Sequence, residues 1–207
     1  TTHVTAQTHP SSDLGYRDVI ERMQAMLADD LAATEQLLTE RAKSPVDVIP
    51  DLSGYIVSAG GKRLRPMITL IAAQACGGTN PGTHALATAV EFIHTATLLH
   101  DDVVDDSDLR RGKRAAKHVW GNNPSILVGD FLFARAVPLM AETGNLEILR
   151  ILSTASSVIA EGGVQQLAAA SRTALPTEAA LSIIVAQTAA LFAAAAQAVA
   201  LSSSRDN

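Results

Sequence analysis

Leu98-Leu99-His100-Asp101-Asp102-Val103-Val104-Asp105-Asp106 closes a segment that reads as one helix from about Thr83 to Asp105. In a helix Asp101 and Asp105 are i and i+4, so they project from one face, roughly 6 Å apart along the axis. Two such charges repel by about 3 kcal/mol at an effective dielectric of about 20, and by only a few tenths when fully solvated. A divalent cation reverses the sign of that cost, because hard oxygen ligands on one helical face can hold Mg²⁺ while water and phosphate oxygens take its other positions. The plain alternative, for aspartates standing alone, is a solvated acidic helix end.

Outward from this stretch the punctuation is helical throughout. Ile20, Met23, Leu27, Leu31 and Leu38 recur at helical spacing between Tyr16 and Lys43, and Pro45 and Pro50 end that pattern. A short segment around Leu52 to Val57 leads to a tight turn at Gly60-Gly61, and Pro66 suits the first turn of a helix reaching Ala75. Ser125 reads as the cap of a helix through Glu142, and Leu146 to about Ala170 as another, weakened or bent at Gly162-Gly163. Thr177 is a candidate N-cap for an Ala-rich helix. No strand alternation or repeat appears, and Ser107 to Arg114 reads as an irregular basic connection. The fold class is therefore all-α, with one domain over residues 13–207 behind a disordered tail at 1–12.

The bulk numbers exclude several classes. A net charge of −5 argues against a nucleic-acid partner. Cys76, alone, cannot form an internal disulfide, and the amino-terminal residues show no secretory signal, so a cytoplasmic chain is expected. Ala179 to Leu201 carries no charge and has the length of a membrane span, but it is dominated by alanine and interrupted by Gln187, Thr188 and Gln197. A buried core helix, with no transmembrane segment, is the expectation.

Lys62, Arg65, Arg110 and Arg111 fall in two glycine-flanked loops, GGKRLRP and LRRGKR, where backbone approaches a ligand closely and guanidinium groups can grip phosphate. Carboxylates for a metal and cations for phosphates are the two halves of a diphosphate–metal site. The acidic run lacks the glycine and glutamate of an EF-hand loop, and Ser58-Ala59-Gly60-Gly61-Lys62 is no Walker A loop. No Ser-His-Asp order or dinucleotide glycine fingerprint is evident.

GGKRLRP followed by HTATLLHDDVVDDSDLRRG resembles the first half of the trans-isoprenyl diphosphate synthases of the long-chain type. The resemblance implies a helical bundle of the isoprenoid synthase type with a central cavity between antiparallel helices, Mg²⁺ as cofactor and a homodimer. It implies condensation of isopentenyl diphosphate with an allylic diphosphate. By position, Asp101 and Asp105 would ligate Mg²⁺ with Asp102 supporting, and Arg110 would hold the allylic diphosphate. Lys62, Arg65, His94 and Arg111 would bind isopentenyl diphosphate, with Gln166 and Thr188 as further substrate contacts. His94 stands seven residues before Asp101, two turns along the same face. Small Ala96 and Thr97 would let a long tail pass. His100 is not assigned a role, and His3, His9, His84 and His118 are read as packed or surface residues.

The chain departs from the family pattern at Gly163, where a carboxylate is usual, and at Gln187, where a lysine is usual. It reaches Arg205-Asp206-Asn207 without the family's second aspartate-rich motif. Three readings follow: a long-chain prenyltransferase seen incompletely, an impaired homologue that binds diphosphates or serves as a partner subunit, and, ranked last, a terpene-cyclase-like enzyme.

Overall fold

Pro81 at N1 starts the central helix, and Asn80 caps it by accepting from the Thr83 amide at 3.0 Å while the Thr83 hydroxyl accepts from the Asn80 amide. In the computed structural model, which describes residues 15–58, 61–170 and 176–203, that helix is α5, Pro81–Val104. It is apolar nearly all round because it has neighbours on every side. Helices α1 (Tyr16–Met26), α2 (Ala28–Arg41), α3 (Val48–Ser58) and α4 (Leu64–Ala75) precede it; α6 (Ala116–Trp120), α7 (Asn122–Ala141) and α8 (Leu146–Ala170) follow. Next come α9 (Thr177–Ile184), a π-helical turn at Val185–Ala189 and α10 (Ala190–Ser203).

The main apolar cluster joins Phe92, Ile93, Ala96 and Leu99 of α5 to Leu132 and Leu139 of α7, Ile148 and Leu152 of α8, and Leu191, Ala198 and Val199 of α10. A second cluster, Ile20, Leu27, Met67, Leu70 and Ala87, lies where α1, α2 and α4 meet α5. Fully burying one such leucine or isoleucine is worth roughly 1.5–3 kcal/mol, so both faces of α5 are strongly held.

The all-α expectation is met, with local corrections. The first helix is two, because Leu27 leaves helical geometry (φ −104°, ψ 15°) to bury itself completely in the second cluster. Pro50 lies within α3 rather than ending a helix. Ser125 is not a cap: Gly121 occupies the N-cap of α7, and the Ser125 hydroxyl donates back to the Gly121 carbonyl at 2.9 Å. Pro176, not Thr177, is the N-cap of α9.

Gly162 and Gly163 do not interrupt α8, which runs from Leu146 to Ala170. A Cβ on Gly162 would lie 2.8 Å from the Ala186 Cβ, so the glycine admits the π turn into close contact. The basic connection is a minimal hairpin, β1 (Leu109–Arg110) with β2 (Lys113–Arg114). The tail at 1–12, Gly60 and the final Arg205-Asp206-Asn207 lie outside the described residues.

Two stretches, Asn122–Ala141 and Thr177–Ser202, are long and apolar enough to cross a membrane by length and composition. The second is less enclosed than a core helix. Leu191, Ala194, Ala195, Ala198 and Val199 are buried, but α9 has no buried residue, and Leu181, Ile184 and Val185 are exposed. Its main packing partners are α4, α5 and α8.

Candidate active site

One face of α5, an arc of about 80°, carries Glu91, His94, Asp101 and Asp105 over about 20 Å of helix. Asp101 is partly buried and Asp105 exposed. Burial raises the Asp101 carboxyl above the usual carboxylate range, the Asp105 charge adds to the rise, and Arg110 opposes it. A carboxyl pKa raised by burial and further by a like-charged neighbour marks a place where a cation relieves repulsion, and two hard oxygen donors on one face suit Mg²⁺ or Ca²⁺. Among the described residues no group of three or more His, Cys, Asp or Glu converges on one point. A cation held by Asp101 and Asp105 would therefore complete its shell with water and substrate oxygens.

Asp102, about 100° around the helix from Asp101, is fully buried. Its Oδ1 accepts from Arg110 Nε at 2.9 Å and also from Nη2, while Oδ2 is buried without a partner. Arg110, expected on the allylic diphosphate, thus already spends two nitrogens on Asp102. Asp106, with φ 52°, turns off the helix and pairs with Lys117, whose side chain is almost completely buried.

Arg111 (φ 52°) and Gly112 (φ 78°) form the two-residue tip of the hairpin. Positive φ at both central positions is the turn geometry that matches strand twist, and glycine at the second supplies it without strain. The hairpin puts Arg110 at the carboxylates and Arg111 in a separate pocket. Lys62, Arg63, Leu64, Arg65, Glu91, His94 and Arg111 line that pocket. Gly61 lets the Arg111 guanidinium lie against the backbone there, because a Cβ would come 2.8 Å from Arg111 Cζ and push that side chain aside. Lys62 Nζ sits 4.2 Å above the Tyr16 ring and the Arg65 guanidinium 4.8 Å above that of Phe192. Arg65 Nε is buried without a partner.

Desolvation, and then Arg65, Arg111, Arg110 and Arg63 in turn, lower the His94 pKa to about 3. The ring is therefore neutral in the folded protein near pH 7. Its folded value lies below the unfolded 6.5, so folding stability is lost as pH falls from 6.5 toward 3. At 1.36 kcal/mol per unit the loss from this group is on the order of a few kcal/mol. A histidine-resolved NMR titration should find no His94 transition between pH 5 and 8 (about the range of ordinary histidines); a midpoint near 6.5 would contradict the desolvated placement.

The structure brings Lys62, Arg65, His94 and Arg111 together, and Asp101 with Asp105 and Arg110. Gln166 and Thr188 do not line the cationic pocket. Gln166 accepts from Gln187 Nε2 at 2.6 Å, and Thr188 is exposed in the same π turn. Ala96 is buried in the main cluster, while Thr97 is partly exposed and its hydroxyl donates to the His94 carbonyl at 2.7 Å. His100 binds the Ile126 carbonyl at 3.1 Å and lies 3.4 Å from Asp130, tying α5 to α7. His84 and His118 pair with Asp30 and Asp108, as packed or surface histidines; His3 and His9 are outside the described residues.

Sequence reasoning missed Tyr16, Phe192, Arg63, Glu35 and Glu91. The available signal was Glu91, a lone charge inside the apolar run Ala89-Val90-Glu91-Phe92-Ile93.

A family model described as polyprenyl synthetase matches residues 46–207. Octaprenyl diphosphate synthase of Escherichia coli strain K12 is 46% identical over 178 residues, 86% of this chain and 55% of that one. Among solved structures, a polyprenyl synthase from Caulobacter crescentus, complexed with calcium and isoprenyl diphosphate, superposes with a TM-score of 0.87 at 52% identity, covering 89% of this chain and 56% of that one. A decaprenyl diphosphate synthase from Rhodobacter capsulatus gives a TM-score of 0.84 at 48% identity, covering 88% and 56%. The chain spans about half the length of the curated relatives it matches. With the matched model covering most of the chain, this chain belongs to the polyprenyl synthetase family.

Proposed function

We propose that this chain serves a prenyltransferase that condenses isopentenyl diphosphate with an allylic diphosphate to give a long all-trans polyprenyl diphosphate. The observation that carries the reading is the shared face of α5: Asp101 and Asp105 at one end, His94 within the cationic pocket at the other, and one hairpin serving both with Arg110 and Arg111. In this reading Lys62, Arg65 and Arg111 bind the isopentenyl diphosphate, and neutral His94 supplies a hydrogen bond without adding charge. Arg110, held by Asp102, is aimed at the allylic diphosphate as its C–O bond breaks and the electron pair leaves with the diphosphate. The isopentenyl double bond then forms the new C–C bond and a proton is lost from the adjacent carbon. Mg²⁺, which Asp101 and Asp105 would hold, neutralises diphosphate charge when bound. A single domain over 13–207, a homodimer and a cytoplasmic location belong to the same proposal.

A second reading, a diphosphate-binding or partner subunit, is favoured by one feature: the neutral Gln187, bonded to Gln166, stands where a cation is usual. Incubation with Mg²⁺, an allylic diphosphate and isopentenyl diphosphate, followed by chromatographic sizing, separates the two. Long prenyl products support the first reading, and their absence the second; a cyclic hydrocarbon overturns both. Thr97→Phe, one turn before Asp101 and partly exposed, is expected to shorten the product by closing the path beneath the diphosphate.

A further inference from the structure

We infer that Glu91 and Arg63 are positioning residues that hold Lys62 and Arg65 in the cationic pocket, a role that rests on reading that pocket as the isopentenyl diphosphate site. Arg63 stands between the two cations and has φ 49°, left-handed backbone that a non-glycine residue adopts only when its surroundings hold it there. They do so through the side chain. Arg63 Nη1 donates to Glu91 Oε1 at 2.8 Å, Nε and Nη2 donate to the Glu35 carboxylate at 3.2 and 3.0 Å, and Nη2 also reaches the Val57 carbonyl at 3.3 Å. All three guanidinium nitrogens are engaged, on α2, α3 and α5, so Arg63 lines the pocket as an anchor rather than as a phosphate donor. The residue is also the N-cap of α4, so fixing it fixes the start of the helix that carries Arg65.

Glu91 completes the device. It is only 4% exposed, one turn below His94 on α5; burial pushes its carboxyl up, and Arg63 first, then Arg65 and Arg111, oppose that rise. Two effects of removing its charge compete. The pocket becomes more positive and attracts diphosphate more strongly, while Arg63 loses a buried partner and the loop loses its left-handed anchor. Breaking a buried pair outweighs one screened long-range charge, and small displacements of positioning groups are costly, so weaker binding is the expected net result.

The test compares wild type with Glu91→Gln, which keeps the shape and removes the charge. Amide hydrogen exchange at residues 62–65 of the substrate-free protein should accelerate at least about tenfold in the variant, while α7 core amides stay unchanged. Calorimetry should show isopentenyl diphosphate binding about 10- to 100-fold weaker. Binding of inorganic pyrophosphate with Mg²⁺ in a Lys62→Ala/Arg65→Ala background, which isolates the carboxylate end, should change less than about twofold when Glu91→Gln is added.

Unchanged exchange at 62–65, or equal or tighter isopentenyl diphosphate binding, overturns the inference. A loop freed by the substitution, together with no isopentenyl diphosphate binding by wild type, supports the anchor and overturns the pocket's assignment instead. If Glu91→Gln does not fold, Glu35→Gln, at a half-exposed side chain, carries the same test with a smaller expected effect.

Discussion

Asp101→Asn is expected to make the metal-free protein more stable and, on the prenyltransferase reading proposed above, nearly inactive. Asp101 has its pKa raised in the fold, by burial first and by Asp105 second, so its favourable contribution is complete only below the unfolded value of 3.8 and is lost as pH rises through the folded one. At neutral pH the ionised pair therefore costs stability, on the order of 1 kcal/mol given partial solvation. Asparagine removes the cost, and the metal-free melting temperature should rise at pH 7 but not at pH 3, which lies below the unfolded value of 3.8. Mg²⁺ should raise the melting temperature of wild type and not of the variant. Product formation should fall at least about 100-fold, since even outer-shell partners of a metal cost 10- to 100-fold when removed. A variant that is less stable without metal at pH 7 would show that Asp101 is paired, not repelled.

Arg110→Ala should destabilise more than Asp102→Asn, although both break the same ion pair. The asymmetry comes from burial. Asp102 is fully buried and already has one oxygen without a partner, whereas the Arg110 side chain is 28% exposed. Removing the arginine leaves a buried carboxylate with no counter-charge, at roughly 3–5 kcal/mol; removing the aspartate charge leaves a guanidinium that can turn toward water, at about 1–2 kcal/mol. Urea unfolding would show the ranking as midpoints shifted at constant slope. The reverse order would mean that the buried Asp102 carboxylate does not depend on Arg110 for its counter-charge.

Helix existence was legible because apolar spacing along α5 and α8 is regular over six turns or more, and the Asp101–Asp105 relation is a property of helix geometry alone. What escaped depends on distant partners. The break at Leu27 is invisible locally, since the leucine leaves the helix to reach Met67, Leu70 and Ala87. The Arg63 anchor joins residues 28 positions away on either side, Glu35 and Glu91, and only the fold brings them together. That Arg110 is already paired is likewise not legible locally, because nothing nearby in the sequence says that Asp102 is buried. The hairpin at Arg111-Gly112 had a signal, a glycine between two cation pairs, but two-residue strands are too short to show alternation.

The π turn at Val185–Ala189 has a geometric consequence for the cationic pocket. An extra residue absorbed in one wide turn resets the phase of everything after it by about 100° relative to an uninterrupted α-helix. Phe192 sits three residues beyond that turn, and its ring meets Arg65 in the reset phase. The turn, with Gly162 opposite it making room, therefore works as an angular offset between α9 and α10, aiming an aromatic face at a cation that the chain placed more than a hundred residues earlier.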